Sequence, residues 1–179
     1  GEIHFLVCHP TPPVFDGPED KNGTRNHDEI RFWADYISPH RNSYIVDDAG
    51  QKGGLSHDTA FVIAGDLNAD PIDGDSTNRA IHQLLEHPLI RDTKPQSKGG
   101  VEAAQVQGKV NATHKGKPAF DTGDFSDRSP GNLRIDYVLP ARTLKISRHG
   151  IFWPTTEEPS AKWITGSDHR LVWLDIKVK

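Results

Sequence analysis

Four short segments carry side chains suited to acid–base and phosphate chemistry. His9 stands where a strand-like run meets Pro10. Asp66 and Asn68 follow the apolar run 61–64 and Gly65. Asp136 lies inside the apolar run 135–139, and Ser167-Asp168-His169 precedes the last apolar run of the chain. A carboxylate in an apolar strand needs a partner. For Asp136 that partner is either an imidazole or a structural arginine, Arg134 or Arg142. Asp168 and His169 are neighbours, so in extended backbone they point apart and serve two tasks rather than one another. Asp168 offers oxygen to a divalent cation such as Mg²⁺ or Mn²⁺. His169 can face a substrate as acid or base, with Asp136 orienting its ring. Asp66 and Asn68 can position a water, and His9 and Asn68 can hydrogen-bond a phosphoryl oxygen.

The elements that must place these groups are legible in part. The continuous apolar run before Gly65 reads as a buried central strand, and its exit is where open α/β sheets carry their chemistry. The alternation over residues 2–8 predicts a strand buried on both faces, ended by the prolines at 10, 12 and 13. Asn26 and Glu29 have capping-box spacing, and Ile30, Trp33, Ala34 and Ile37 repeat at helical intervals up to Pro39. A short strand is expected near 43–48 and a Gly-rich loop over 48–58. Ser76 would cap a second helix with Ile81, Leu84 and Leu85 on its apolar face. Residues 92–132 read as a long polar loop with weak strands near Val110 and Ala119-Phe120. Strands follow at 135–139, 144–151 and 171–178. His57-Asp58 reads as a loop feature, and Glu19, Asp20, Asp73 and Asp75 as solvated acids. Helices and strands alternate early and strands dominate late, which gives an α/β or α+β class over one domain, 1–179.

Composition narrows the field. The chain has 179 residues, 34% hydrophobic and 26% charged, with a net charge of −4. It has no global attraction to nucleic acid or to an anionic membrane. Lys94, Lys98, Lys109, Lys115 and Lys117 make the 92–132 stretch locally basic, which permits a phosphate-backbone partner. The single cysteine, Cys8, excludes an intrachain disulfide. No apolar run reaches the roughly 18 residues of a membrane span. A Gly-x-Ser-x-Gly elbow is absent, so a serine hydrolase built on His169 and Asp136 lacks its nucleophile.

Taken in order, Gly65-Asp66-Leu67-Asn68, then the segment from Arg134 to Leu139, then Gly166-Ser167-Asp168-His169 resemble the endonuclease/exonuclease/phosphatase family of DNase I-like nucleases, sphingomyelinases and inositol polyphosphate phosphatases. The segment from His9 to Trp33 resembles a bacterial, often secreted branch. The resemblance implies a mixed, mostly antiparallel sheet flanked by helices, part of a four-layer αββα sandwich. It implies Mg²⁺- or Mn²⁺-assisted hydrolysis of a phosphate ester by in-line attack of water. The phosphate ester could be a nucleic acid, a lipid or a sugar phosphate. Asp168 would be a metal ligand, His169 with Asp136 the catalytic pair, Asp66 and Asn68 the water- and phosphate-orienting residues, and His9 a phosphoryl contact.

The family's N-terminal asparagine and metal-binding glutamate would precede His9, where only eight residues stand. The chain is therefore expected to match the C-terminal half of such a domain and to be truncated. Its metal site would be incomplete, with Asp168 and weak contributions from Asp66 or Asn68. An apolar sheet face would be left for the N-terminal half or another chain to cover. A non-catalytic binding domain on the same scaffold is the alternative.

Overall fold

The computed structural model describes residues 1–177, and β2 (Phe61–Asp66) lies at its centre. β1 (His4–Val7) pairs with β2 in parallel, and β5 (Asp136–Pro140) pairs with its other edge antiparallel. Two antiparallel ribbons complete the strands. One joins β3 (Gly123–Asp124) to β4 (Asn132–Leu133), and the other joins β6 (Ile146–Phe152) to β7 (Leu171–Ile176). β7 lies against β5. The mixed α/β class with mostly antiparallel pairing is as the sequence implies.

β2 is central because it is apolar on both faces. Phe61 and Ile63 join a core with Ile30 and Ala34 of α1 (Lys21–Tyr36), Ile37 at its C-cap, Ile81, Leu84 and Tyr137. Val62 and Ala64 on the opposite face are also buried. Gly65 has φ +150°, and a Cβ there would run into the Cys8 carbonyl. Only glycine lets β1 and β2 approach so closely at the point where the candidate site residues begin.

β1 departs from expectation. Leu6 and Cys8 pack on the core, but Phe5 and Val7 are 65% and 64% exposed. β1 is the outer strand of its sheet, and among the described residues little covers its far face. Leu171 on β7 is likewise 65% exposed. The last strand ends at Ile176, and Val178 lies outside the described residues.

The start of α1 also differs. The helix begins at Lys21 with Asp20 at the N-cap, so Asn26 is inside it. The Asn26 amide is fully buried and donates to the Thr11 and Leu67 carbonyls, both at 2.9 Å. A residue with the look of a cap instead ties α1 to the exits of β1 and β2, which overrides local capping preference. Glu29 accepts from the Thr11 backbone N–H at 2.6 Å rather than closing a capping box.

The expected strand at 43–48 is a single bridge, Val46 to Lys52. Ser76 precedes a 3-10 turn, Thr77–Arg79, with no side-chain cap bond. The helix beyond it is α2 (His82–Leu85), with Leu84 buried, and Ile81 just before it is buried too. The 92–132 stretch is not a loop. It holds α3 (Lys98–Gln107), capped by the Ser97 hydroxyl, and then 3-10 turns where strands were expected. Gly99 and Gly100 are buried and hid the helix from a propensity reading.

Two of the acids taken as solvated are tied down. Asp20 accepts from Thr77 Oγ1, and Asp73 accepts from the Lys115 and Gly116 backbone N–H groups. Asp73 and Asp70 face buried Asp121. Burial first, then these two charges, push the Asp121 carboxyl up to about 8. With an unfolded value near 4, the folded state binds the extra proton between those values, so stability falls as pH rises through about 4–8. Asp121→Asn is therefore expected to match the parent at pH 4 and to exceed it by on the order of 5 kcal/mol at pH 8.5. Thermal melts at the two pH values check this; an equal gap at both would contradict it.

Candidate active site

Asp66 ends β2 and Asp136 begins β5, and the ladder sets them directly opposite one another. Like charges in facing positions are unfavourable unless something cationic lies between. Here that is His169. Its Nδ1 is 3.1 Å from both Asp136 carboxylate oxygens, and its Nε2 is 4.0 Å from Asp66 Oδ2. Nδ1–H donates to Asp136, so Nε2 faces the cavity side of the pair. The arginine alternatives for Asp136 are occupied elsewhere: Arg134 pairs with Asp92, and Arg142 donates to the Pro88 and Ile90 carbonyls.

His9 approaches Asp66 from the end of β1, with Nε2 3.4 Å from Asp66 Oδ2. Asn68 follows in the turn. It has φ +51°, its N–H donates to Asp66 Oδ1 at 2.9 Å, and its amide donates to the Pro10 carbonyl at 3.0 Å. That turn lets the β2 exit close on the β1 exit. Tyr137 supports it from beneath, its buried hydroxyl 2.7 Å from the Ala69 and Arg134 carbonyl oxygens. His9, Asp66, Asn68 and His169 line one cavity of about 700 Å³, and Asp136 holds His169 from behind.

Asp168 does not join the closest group. Asp66, Asp136 and His169 offer ligand atoms within 4.8 Å of one another, whereas the Asp168 side chain is exposed beside them. Its backbone carbonyl accepts from the Asp124 N–H at 2.8 Å. Within this group Asp136 is engaged by His169 Nδ1, so Asp66 is the carboxylate left to offer oxygen to a divalent cation.

The electrostatics follow from this crowding. Burial and the nearby Asp66 charge raise the Asp136 carboxyl, against the opposing pull of His169 and Thr122. Partial burial disfavours the His169 imidazolium, but Asp136, Asp66 and Asp168 outweigh it and raise its pKa above the usual histidine value.

Several site residues carry no sequence signal. Buried Thr122 accepts from the Ile135 and Asp136 backbone N–H groups at 3.0 and 2.9 Å, and its carbonyl accepts from Arg170 N–H at 2.7 Å. It thus fixes the start of β5 to the segment carrying His169. Arg170 lies over Trp153 and donates to Asp124 and to the Ser167 carbonyl, both at 2.6 Å, which sets the loop before His169. Phe125 meets the His169 ring edge-on, with centroids 5.8 Å apart. All of these except Arg170 and Trp153 sit in the polar stretch that gave no periodicity, and their roles arise only from tertiary contact.

No curated protein and no solved structure matches the chain. A family model described as Endonuclease/Exonuclease/phosphatase family matches residues 3–169, a span that includes the five clustered residues and Asp168, and the chain belongs to that family.

Proposed function

We propose that this chain hydrolyses a phosphate ester in the cavity over Asp66 and His169, by attack of a water on phosphorus. Family members are hydrolases of phosphoester bonds, generally metal-dependent. The observation that carries the reading is the Asp136–His169 pair facing Asp66 in one cavity that also holds His9 and Asn68.

In this reading Asp66 accepts a hydrogen bond from the attacking water, and its own position is fixed by the Asn68 N–H. His169, charged because of its carboxylate neighbours, donates from Nε2 to the phosphoryl group as negative charge builds there. Asp136 holds the ring and its tautomer. His9 and the Asn68 side chain contact the phosphoryl oxygens. Asp66 and Asp168 would hold a Mg²⁺ or Mn²⁺ ion, which would neutralise phosphoryl charge when bound. Among the described residues no helix is long and apolar enough to cross a membrane. The exposure of Phe5 and Val7 along β1 supports the expectation that a further polypeptide segment covers this face.

The test is hydrolysis of bis(4-nitrophenyl) phosphate with Mn²⁺ or Mg²⁺. Turnover that EDTA abolishes and added metal restores is the expected result. EDTA-resistant turnover would sink the metal-assisted reading. Absence of turnover with both ions would favour the non-catalytic binding domain.

A further inference from the structure

The cavity has walls that the reacting residues do not require. Among the described residues, no lysine or arginine lines it, and Asp75 adds a negative charge at its edge. Pro13, Val14, Phe15, Phe125, Pro130 and Leu133 all line it. The five lysines that make 92–132 basic all lie outside it.

Phe15 is the unusual member. It is 98% exposed with φ +63°, a conformation that a bulky side chain rarely adopts. The backbone around it is held: Asn22 in α1 donates to the Val14 carbonyl at 2.7 Å and to Asp16 Oδ2 at 2.5 Å, on either side of Phe15. An aromatic ring kept in water, in a strained conformation, at the mouth of a cavity is an outlier that points to function. Phe125 stands against the His169 ring, so apolar surface reaches the reacting end of the cavity.

We propose that the site selects a phosphate ester with an apolar arm, received between Phe15 and Phe125, and disfavours polyanions. This rests on the phosphoesterase reading above. A polynucleotide gains its affinity mainly by releasing counterions to lysine and arginine, and here its flanking phosphates would meet Asp75 instead. An aryl or alkyl arm would instead cover apolar walls that are otherwise wet.

Calorimetric titration of the full chain distinguishes these cases without needing turnover. The probes are diphenyl phosphate, dibutyl phosphate, dimethyl phosphate and a twelve-residue thymidine oligonucleotide. Diphenyl and dibutyl phosphate are expected to bind at least tenfold tighter than dimethyl phosphate; their ratio tells an aromatic arm from an aliphatic one. Phe15→Ala is expected to lose that advantage, Phe15→Leu to keep most of it, and both to bind dimethyl phosphate as the parent does. Equal affinity for the three small esters, tightest binding of the oligonucleotide, or indifference to Phe15→Ala would overturn the inference. A protein that keeps the preference but hydrolyses no phosphodiester would overturn the phosphoesterase reading instead.

Discussion

If the proposed hydrolysis holds, replacing His169 by alanine is expected to lower kcat/KM for bis(4-nitrophenyl) phosphate by about 10³-fold, within the range for losing a positioned acid–base group. The variant is expected to fold normally, because His169 is a part-exposed residue just before β7 rather than a core residue. Asp136→Asn has a second signature. Asp136 is the leading cause that raises the His169 pKa. With the imidazolium as donor, activity declines as pH rises through a value above the ordinary 6.5. Removing the carboxylate moves that limb to lower pH. A pH–rate profile therefore separates a loss of charge coupling from a general loss of structure, which would lower the whole curve without moving the limb. His169→Ala protein retaining more than about a tenth of the parent rate would exclude the assigned role.

Asp92→Ala gives the largest expected effect on stability. Arg134 and Asp92 form a bidentate pair with N–O distances of 3.0 and 2.6 Å, both side chains at or below 10% exposure. The guanidinium also lies over the Tyr137 ring at 4.8 Å. Removing the carboxylate strands a buried cation, which costs about 3–5 kcal/mol, whereas the exposed Lys109–Asp127 pair is worth less than about 1 kcal/mol. Burial disfavours the ionised Asp92, but the Arg134 hydrogen bonds and charge outweigh it and hold the carboxyl below its usual value. A depressed carboxyl stabilises above its unfolded pKa, near 4, and loses that contribution as pH falls through the folded value. The gap between parent and Asp92→Ala in urea midpoint is therefore wide at pH 7 and narrows below about pH 4. A gap of the same size across that range would show that packing, not charge, accounts for it.

Legibility divided along physical lines. β2, β5 and the apolar face of α1 were readable because burial on both faces, or on one helical stripe, writes itself into the local pattern. Asp66, Asn68 and Asp136 were readable because they sit at or just beyond the ends of β2 and β5. What was hidden depends on tertiary partners. Asn26 has the composition of a cap but is spent on a buried tie between α1 and two loops. α3 is masked by buried glycines that pack on backbone: a Cβ on Gly99 would meet the Trp153 and Pro154 carbonyls. The Thr122 side chain contributes by accepting two backbone N–H groups from residues thirteen and fourteen positions away. The burial of Phe5 and Val7 was misread because an alternating pattern states which residues share a face, not whether anything covers it.

The outer position of β1 bears on how the protein behaves in a tube. Among the described residues no strand pairs with its outer edge, and Phe5 and Val7 stand exposed along it. A bare edge with apolar side chains is a template for another strand. Concentrated samples will thus be prone to join edge to edge, and a lysine substitution at Phe5, farther from His9 along β1 than Val7, is the natural way to discourage that pairing for crystallisation and kinetics.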